Sequence, residues 1–323
     1  MKDFSQISIQ LFTKITSAIG IIFLLVVFYV CFEIYVPVNP SSHETIIYTV
    51  QRGWGDDEIA DNLKELGIIR SSYFFKFYAI LSLKHSGLQA GEYSLSTKMS
   101  SHEIASKMAK GSIIRDKVVI LEGWNIKDIA QYLEAKNICK KDYFISLTKN
   151  RAVEGYLFPD TYEIAKGDTC DDILNLMLDN FEKKLTPDLR AEITRQKKTV
   201  SQVVIMASLI EKEVQTLEDK KIVSGILWKR IAIGMPLQVD ATIVYITGNA
   251  QIFAKDKLID SLYNTYKYYG LPKGPISNPG MDSITAAIYP TKTNNLYYLS
   301  AGKTYFSETL EQHNAASAKY LSK

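Results

Sequence analysis

The chain has little of what binds nucleic acid or metal. Its formal net charge is only +3 over 323 residues, and it lacks the Lys/Arg blocks that track phosphates, so nucleic acid is not expected as a partner. Its four histidines (His43, His85, His102 and His313) form no ligand motif, and its three cysteines include no Cys-x-x-Cys pair. No metal or other cofactor is therefore expected. Cys31 falls in an apolar N-terminal run, leaving Cys139 and Cys170. These two are free to pair if their part of the chain lies in an oxidising compartment, and spacing leaves the question open. There is no low-complexity tract. Long apolar runs are absent too, save one.

That exception is residues 15–32, eighteen positions without a charge. At about 1.5 Å per residue, and with residues 33–36 at the interface, a helix here crosses a hydrocarbon core of roughly 30 Å. A cleaved signal peptide is the competing reading. The run exceeds the usual ~7–15 residues of such a segment, and no small-x-small site follows it. Lys2 and Lys14 precede the span while Glu33 and Glu44 follow it, which favours an N-terminus in the cytoplasm and the remainder outside. The segmentation expected is a cytoplasmic tail (1–14), a transmembrane helix (15–36), a linker rich in Pro, Asn and Ser (37–44), a small module (45–112) and a larger domain (113–323).

What the chain does have begins with a repeat. Sliding it by 70 positions sets Gly53-Trp54 on Gly123-Trp124, Ile59-Ala60 on Ile129-Ala130, Leu63 on Leu133 and Ile68 on Ile138. Tyr73-Phe74 falls on Tyr143-Phe144, and at an offset of 69 Tyr93, Ile104 and Met108 meet Tyr162, Ile173 and Met177. Each copy reads as strand, Gly-Trp turn, amphipathic helix, Tyr-Phe helix, short strand and last helix. Residues 45–112 and 116–180 are therefore expected to share a fold, with Trp54 and Trp124 in equivalent core positions.

The second feature is the run from Ser201, SQVVIMASLIEKEVQTLEDKKIVSGILWKRIAIG. Val203, Ala207, Ile210 and Val214 recur at helical spacing and predict a buried stripe, with Glu211 and Glu213 on its two edges. A glutamate lodged against apolar surface can hold its proton near neutral pH and serve as an acid. The same spacing equally suits a solvated rim paired with Lys212, Lys220 or Lys221, and helix geometry does not choose between the two glutamates.

Ala207-Ser208-Leu209-Ile210-Glu211-Lys212-Glu213 resembles the signature of the YceG-like (MltG) endolytic murein transglycosylases. Further stretches match in order: Glu154-Gly155-Tyr156-Leu157-Phe158-Pro159-Asp160-Thr161-Tyr162, Gly234-Met235-Pro236-Leu237-Gln238-Val239-Asp240-Ala241-Thr242, Tyr263-Asn264-Thr265-Tyr266 with 270–280, and Thr309-Leu310-Glu311-Gln312-His313-Asn314. Val239, Ala241 and Lys273 depart from the residues usual there. The resemblance implies an α+β fold: one transmembrane helix, a small LysM-like α/β module (the stretch 50–60 is itself loosely similar to LysM glycan-binding modules) and a mixed α/β catalytic domain. It implies cleavage of peptidoglycan between N-acetylmuramic acid and N-acetylglucosamine to 1,6-anhydro ends, with Glu211 as the acid, outside the cytoplasmic membrane and near the peptidoglycan synthases. Gln238, Asp240 and Thr242, alternating on an extended segment, are expected to face sugar hydroxyls together with Tyr263, Asn264, Thr265, Tyr266 and Asn278. The rival readings are a non-catalytic glycan-binding scaffold and a hydrolase that pairs Glu211 with Glu213 or Asp240.

Overall fold

In the computed structural model, residues 2–82, 87–149 and 151–321 are described; His85 lies outside them. The apolar run becomes one helix, α1 (Lys2–Tyr35), whose segment Lys14–Tyr35 has a mean hydropathy of 2.7 and is exposed save near its end, where Glu33 and Ile34 are buried. By length and composition it can cross a membrane. The chain divides into two compact units, residues 1–116 with 163–167 and residues 117–162 with 168–323.

In the first unit the strands β1 (Ile46–Val50) and β2 (Gly91–Leu95) pair antiparallel with Tyr48 opposite Tyr93, and they enclose the helices α2 (Asp56–Glu65) and α3 (Ser72–Ser82) in sequence. Helix α4 (Ser101–Ala109) follows, started by a capping box in which Ser100 and Glu103 satisfy each other's backbone N–H groups. Ile59, Ala60, Leu63, Phe75, Tyr93, Ile104 and Met108 close one apolar core. The expected linker is not a free tether. Arg70 lies over the Phe32 ring and donates to the carbonyls of Val36 and Pro37, and the Asn39 N–H bonds the Thr97 carbonyl at 2.9 Å. A guanidinium binds adjacent carbonyls and an aromatic face together, which fixes where the helix leaves off.

The same element order recurs further along as β3 (Arg115–Val119), α5 (Ile126–Ala135), α6 (Lys141–Thr148), β4 (Thr161–Ala165) and α7 (Cys170–Lys184), with β3 paired to β4. Local detail repeats with it. Ile68 and Ile69 bond back to the Leu63 carbonyl as Ile138 and Cys139 do to that of Leu133. Gly67 and Asn137 both take positive φ (67° and 56°), ending α2 and α5 in the same left-handed turn. The Tyr93 and Tyr162 hydroxyls donate to the carbonyls four residues earlier. Burial shifts the register to 69 sooner than identity alone suggests, since Phe75 and Phe144 are the buried rings of α3 and α6. Trp54 and Trp124 are half-buried, and Trp124 packs on Tyr132.

Beyond the repeat, α8 (Pro187–Arg195), α10 (Leu217–Ala232), α11 (Asp240–Thr247) and α12 (Met281–Ile288) pack around α9 (Val200–Glu213). The strands β5 (Tyr297–Ala301) and β6 (Lys303–Ser307) form a hairpin, and α13 (Leu310–Tyr320) lies on it. The expected stripe of α9 is buried, but so is every residue from Val203 to Ile210. Helix α9 is thus a central helix, apolar all round until its last turn, and the solvated rim does not exist along its middle. Thr199 and Gln202 close its N-terminus with a capping box.

Cys139, just before α6, and Cys170, at the start of α7, form a disulfide that closes a 31-residue separation, while Cys31 is free and exposed. Loop-closure entropy assigns such a bridge about 3–4 kcal/mol. The double variant Cys139→Ala/Cys170→Ala should lower the urea midpoint by a corresponding amount, and reductant should have no further effect on it. An unchanged midpoint would show that the bridge contributes nothing.

Candidate active site

Helix α9 ends in Glu211-Lys212-Glu213, and the two carboxylates part company there. The Glu211 side chain is 8% exposed and accepts from two donors: the Lys220 ammonium of α10 at 3.0 Å and the Gly280 N–H at the start of α12 at 2.9 Å. The lysine side chain is itself 4% exposed. Of the two environments the sequence left open, Glu211 has the ion pair with Lys220, joined by the N–H at the start of a helix. A charge this deep is tolerable only because it is partnered, and removing one member of such a pair typically costs about 3–5 kcal/mol.

Glu213 has the more apolar surroundings of the two. Burial pushes its carboxyl up to about 7, opposed by hydrogen bonds from the Tyr298 hydroxyl and the Ala241 N–H, while nearby Asp240 pushes the same way as burial. Glu213 borders two hollows. One, of about 450 Å³, also has Gln238, Asp240, Tyr266, Tyr298 and His313 in its wall. The other, of about 500 Å³, is shared with Glu211, Gln215, Thr216, Asp219 and Thr304.

The residues expected to touch sugar divide sharply. Gln238 and Asp240 are exposed on the first hollow with the half-buried Tyr266, whose hydroxyl bonds the Asp240 carboxylate. Gln238 holds φ at 52°, a left-handed conformation that side chains seldom adopt and that turns it outward. Thr242 does not continue the alternation, because α11 begins at Asp240 and carries Thr242 into the core. There its hydroxyl donates to the Val239 carbonyl at 2.7 Å and meets the Thr265 hydroxyl at 3.1 Å. Thr265 in turn accepts from the Val239 N–H at 3.0 Å. Asn264 is fully buried and donates to the carbonyls of Lys257 and Ile259. Tyr263 is half-buried against Tyr245, with ring centroids 5.0 Å apart.

Asn278 is fully buried as well, and it joins three segments. Its side-chain oxygen accepts from the Leu157 N–H at 2.8 Å, its amide donates to the Trp124 carbonyl and to Glu154, and its backbone pairs with Gly123 and Trp124. In place of the expected sugar contacts, Thr242, Asn264, Thr265 and Asn278 tie the loops that wall the site. Two glycines permit the fit. A Cβ on Gly155 would lie 2.6 Å from Pro275 and 2.7 Å from Val204, and one on Gly280 would lie 1.8 Å from the Glu122 carboxyl.

Three participants escape a sequence reading. Lys220 was one of three candidate partners. Glu154 accepts from Ile126, at the start of α5, and from Tyr245, yet burial raises its carboxyl to about 7. Glu122 precedes the second Gly-Trp turn, and the only signal for it is that the repeat register sets it on Arg52.

Two outcomes follow. Asn278→Ala strands the Leu157 N–H and should destabilise the fold by about 1–3 kcal/mol, whereas Gln238→Ala should stay within about 0.5 kcal/mol; chemical denaturation distinguishes them, and equal effects would contradict the division. Glu154 has a folded-state value above that of an unfolded glutamate, so the folded state holds its proton over the window from the ordinary glutamate range up to about 7. Its contribution to stability is then lost as pH rises through that window. The thermal midpoint of Glu154→Gln should accordingly depend less on pH between about 5 and 8 than that of the wild type, and parallel curves would refute the assignment.

Comparison with known proteins accords with this geometry. The model of the YceG-like family matches residues 48–319. The endolytic murein transglycosylase of Bacillus subtilis strain 168 is 33% identical over 317 residues, covering 88% of each chain. That of Streptococcus pneumoniae D39 is 28% identical over 88% of this chain and 60% of its own length. A crystal structure of a yceG-like protein from Listeria monocytogenes aligns with a TM-score of 0.57 and 33% identity, over 85% of this chain and all of that one. With the family model spanning most of its length and a relative at this identity over nearly all of it, the chain belongs to the YceG-like family.

Proposed function

We propose that the chain is an endolytic murein transglycosylase that cuts peptidoglycan strands between N-acetylmuramic acid and N-acetylglucosamine, with Glu211 as its catalytic acid. The observation that carries this reading is the place of Glu211: at the end of a buried helix, within the family signature, held by two donors and bordering a hollow of about 500 Å³. The names of its relatives point the same way.

In this mechanism Glu211 protonates the glycosidic oxygen as its bond to the muramyl anomeric carbon breaks. The muramyl 6-hydroxyl attacks that carbon, and its proton passes to the Glu211 carboxylate. The product is a 1,6-anhydro end, and no water is consumed. One carboxyl serves as acid and then base, whereas most glycosidases place two across the bond. Lys220 and the Gly280 N–H stabilise the carboxylate in the interval between the two transfers. Asp240 is a poor candidate for a hydrolytic partner because it lies on the other hollow, bonded to Tyr266, and Glu213, which borders both hollows, has its carboxylate engaged by the Tyr298 hydroxyl and the Ala241 N–H.

Residues 45–112 are read as a LysM-like glycan-binding module and 116–180 as its duplicate. Their common strand–helix–helix–strand–helix order and matched hydrogen bonds support both assignments. Helix α1 anchors the chain in the cytoplasmic membrane with Lys2 and Lys14 inside. The Cys139–Cys170 bridge fits an extracytoplasmic domain, since disulfides persist in oxidising compartments. An anchored site of this kind meets new glycan near the synthases that make it and would end strand growth.

The test is mass spectrometry of sugar ends after the purified full-length protein, in detergent, acts on peptidoglycan. Wild type should produce anhydro-muramyl ends. Glu211→Gln, with an unchanged fold by circular dichroism, should reduce them by at least the roughly 10²–10⁴-fold that a positioned acid supplies. Ends one water heavier would indicate a hydrolase. Bound glycan without new ends would indicate the scaffold.

A further inference from the structure

Glu211 has to carry a proton at the start of the reaction while its carboxyl is paired with the Lys220 ammonium and the Gly280 N–H. The source of that proton lies in what else surrounds Gly280. The Gly280 N–H holds Glu211, and the space where a Cβ would stand on the same residue is filled by the Glu122 carboxyl, whose Oε1 lies 1.8 Å and Cδ 2.1 Å from that position. Two carboxyls from distant parts of the chain thus converge on one glycine. Glu122 comes from the Gly-Trp turn before α5, and Gly123 beside it lies 3.6 Å, from its own Cβ position, from the Glu211 Cγ.

The charged groups about Glu122 are Glu211 on α9, Lys220 on α10 and Asp282 on α12, with Lys212 donating to the Gly123 carbonyl at 3.3 Å. Glu122 thus faces two other carboxyls, Glu211 and Asp282, against the one ammonium of Lys220, itself paired with Glu211, with Lys212 committed to the backbone. Like charges this close disfavour full ionisation, and neighbouring carboxyls then hold a proton in common. Glu122 stays open to solvent along part of its side chain, and its carboxyl is raised first by partial loss of hydration and next by the charge on Glu211; Lys220 opposes this and Asp282 adds to it.

Resting on the transglycosylase reading above, we propose that Glu122 is a positioning residue that keeps a proton on the Glu122–Glu211 pair, so that Glu211 enters the reaction as an acid despite Lys220. Glu122 touches no reacting atom. The proton that Glu211 gives to the glycosidic oxygen is replaced by the one from the 6-hydroxyl, so the pair ends the cycle with the proton it began with. The corresponding position of the first copy is Arg52, which cannot act in this way. The second copy of the repeat thereby contributes to the site through its turn.

The pH profile of anhydro-end formation by the full-length protein in detergent tests this. Glu122→Gln removes the repelling charge, so its activity should fall at lower pH than that of the wild type. The alkaline limb should move down by about one pH unit, with about a tenfold loss at neutral pH recovered on acidification. Glu122→Asp should keep most of the wild-type profile. Gly280→Ala keeps the charge but displaces the carboxyl, and should move the limb in the same direction. An unmoved limb, or a loss equal at every pH, would overturn the proposal. A second readout needs no activity. With carbon-13 in the glutamate carboxyls, Glu122 should titrate above the usual range, and lower in Glu211→Gln; the same value in both proteins would overturn it. Absence of anhydro ends from the wild type would sink the transglycosylase reading instead, and the carboxyl titration would still decide whether the two groups share a proton.

Discussion

A helix buried on every side cannot end in a carboxylate unless the fold supplies partners for it. Helix α9 meets that constraint with Lys220 from the next helix and an N–H from the start of α12. Much of the domain can be understood as holding those two donors in place. Ser208, fully buried on α9, accepts from the Ile276 N–H, and the Ser277 hydroxyl donates to the Ser208 carbonyl. These bonds seat the loop that leads into Gly280. Asn278 then fastens the same loop to residues 123–124 and 154–157. Burial of a carboxylate is costly unless it is partnered, and Lys220 and the Gly280 N–H supply those partners.

The same economy explains why so many polar residues of the family motifs are buried. Polar side chains inside a protein are worth keeping when they specify one arrangement of irregular backbone. Thr242, Thr265 and Asn264 perform that task for the segment that carries Gln238, Asp240 and Tyr266 to the hollow. The exposed members of each motif depend on the buried ones for their position.

The repeat shows how one architecture serves two ends. Both copies bury an Ile-Ala-Leu face from their first helix and close it with a tyrosine from their second strand. Their cores differ little, but their turns differ in charge. Arg52 in one copy is replaced by Glu122 in the other, and Glu122 lies near Glu211. A turn residue is free to change because the core does not depend on it, which makes turns suitable places to add chemistry to an existing scaffold.

Several levels of this protein were legible without coordinates. The apolar span, the element order of both copies and the course of α9 follow from periodicity, capping residues and turn glycines, which act over a few neighbouring residues. The motif carrying Glu211 could likewise be located, though not distinguished from Glu213 by helix geometry. Other features depend on which segments meet. The expected alternation of Gln238, Asp240 and Thr242 gave way because α11 starts two residues into it, at Asp240. The start of the expected linker is held by Arg70, some thirty residues away in sequence. The partners of Glu211, the contrasting burial of Glu213 and the approach of Glu122 arise from residues up to ninety positions apart. Local sequence therefore determined the elements and the buried helix; tertiary packing decided the charge environment of the carboxylates at its end, because an electrostatic environment is set by distance in space rather than along the chain.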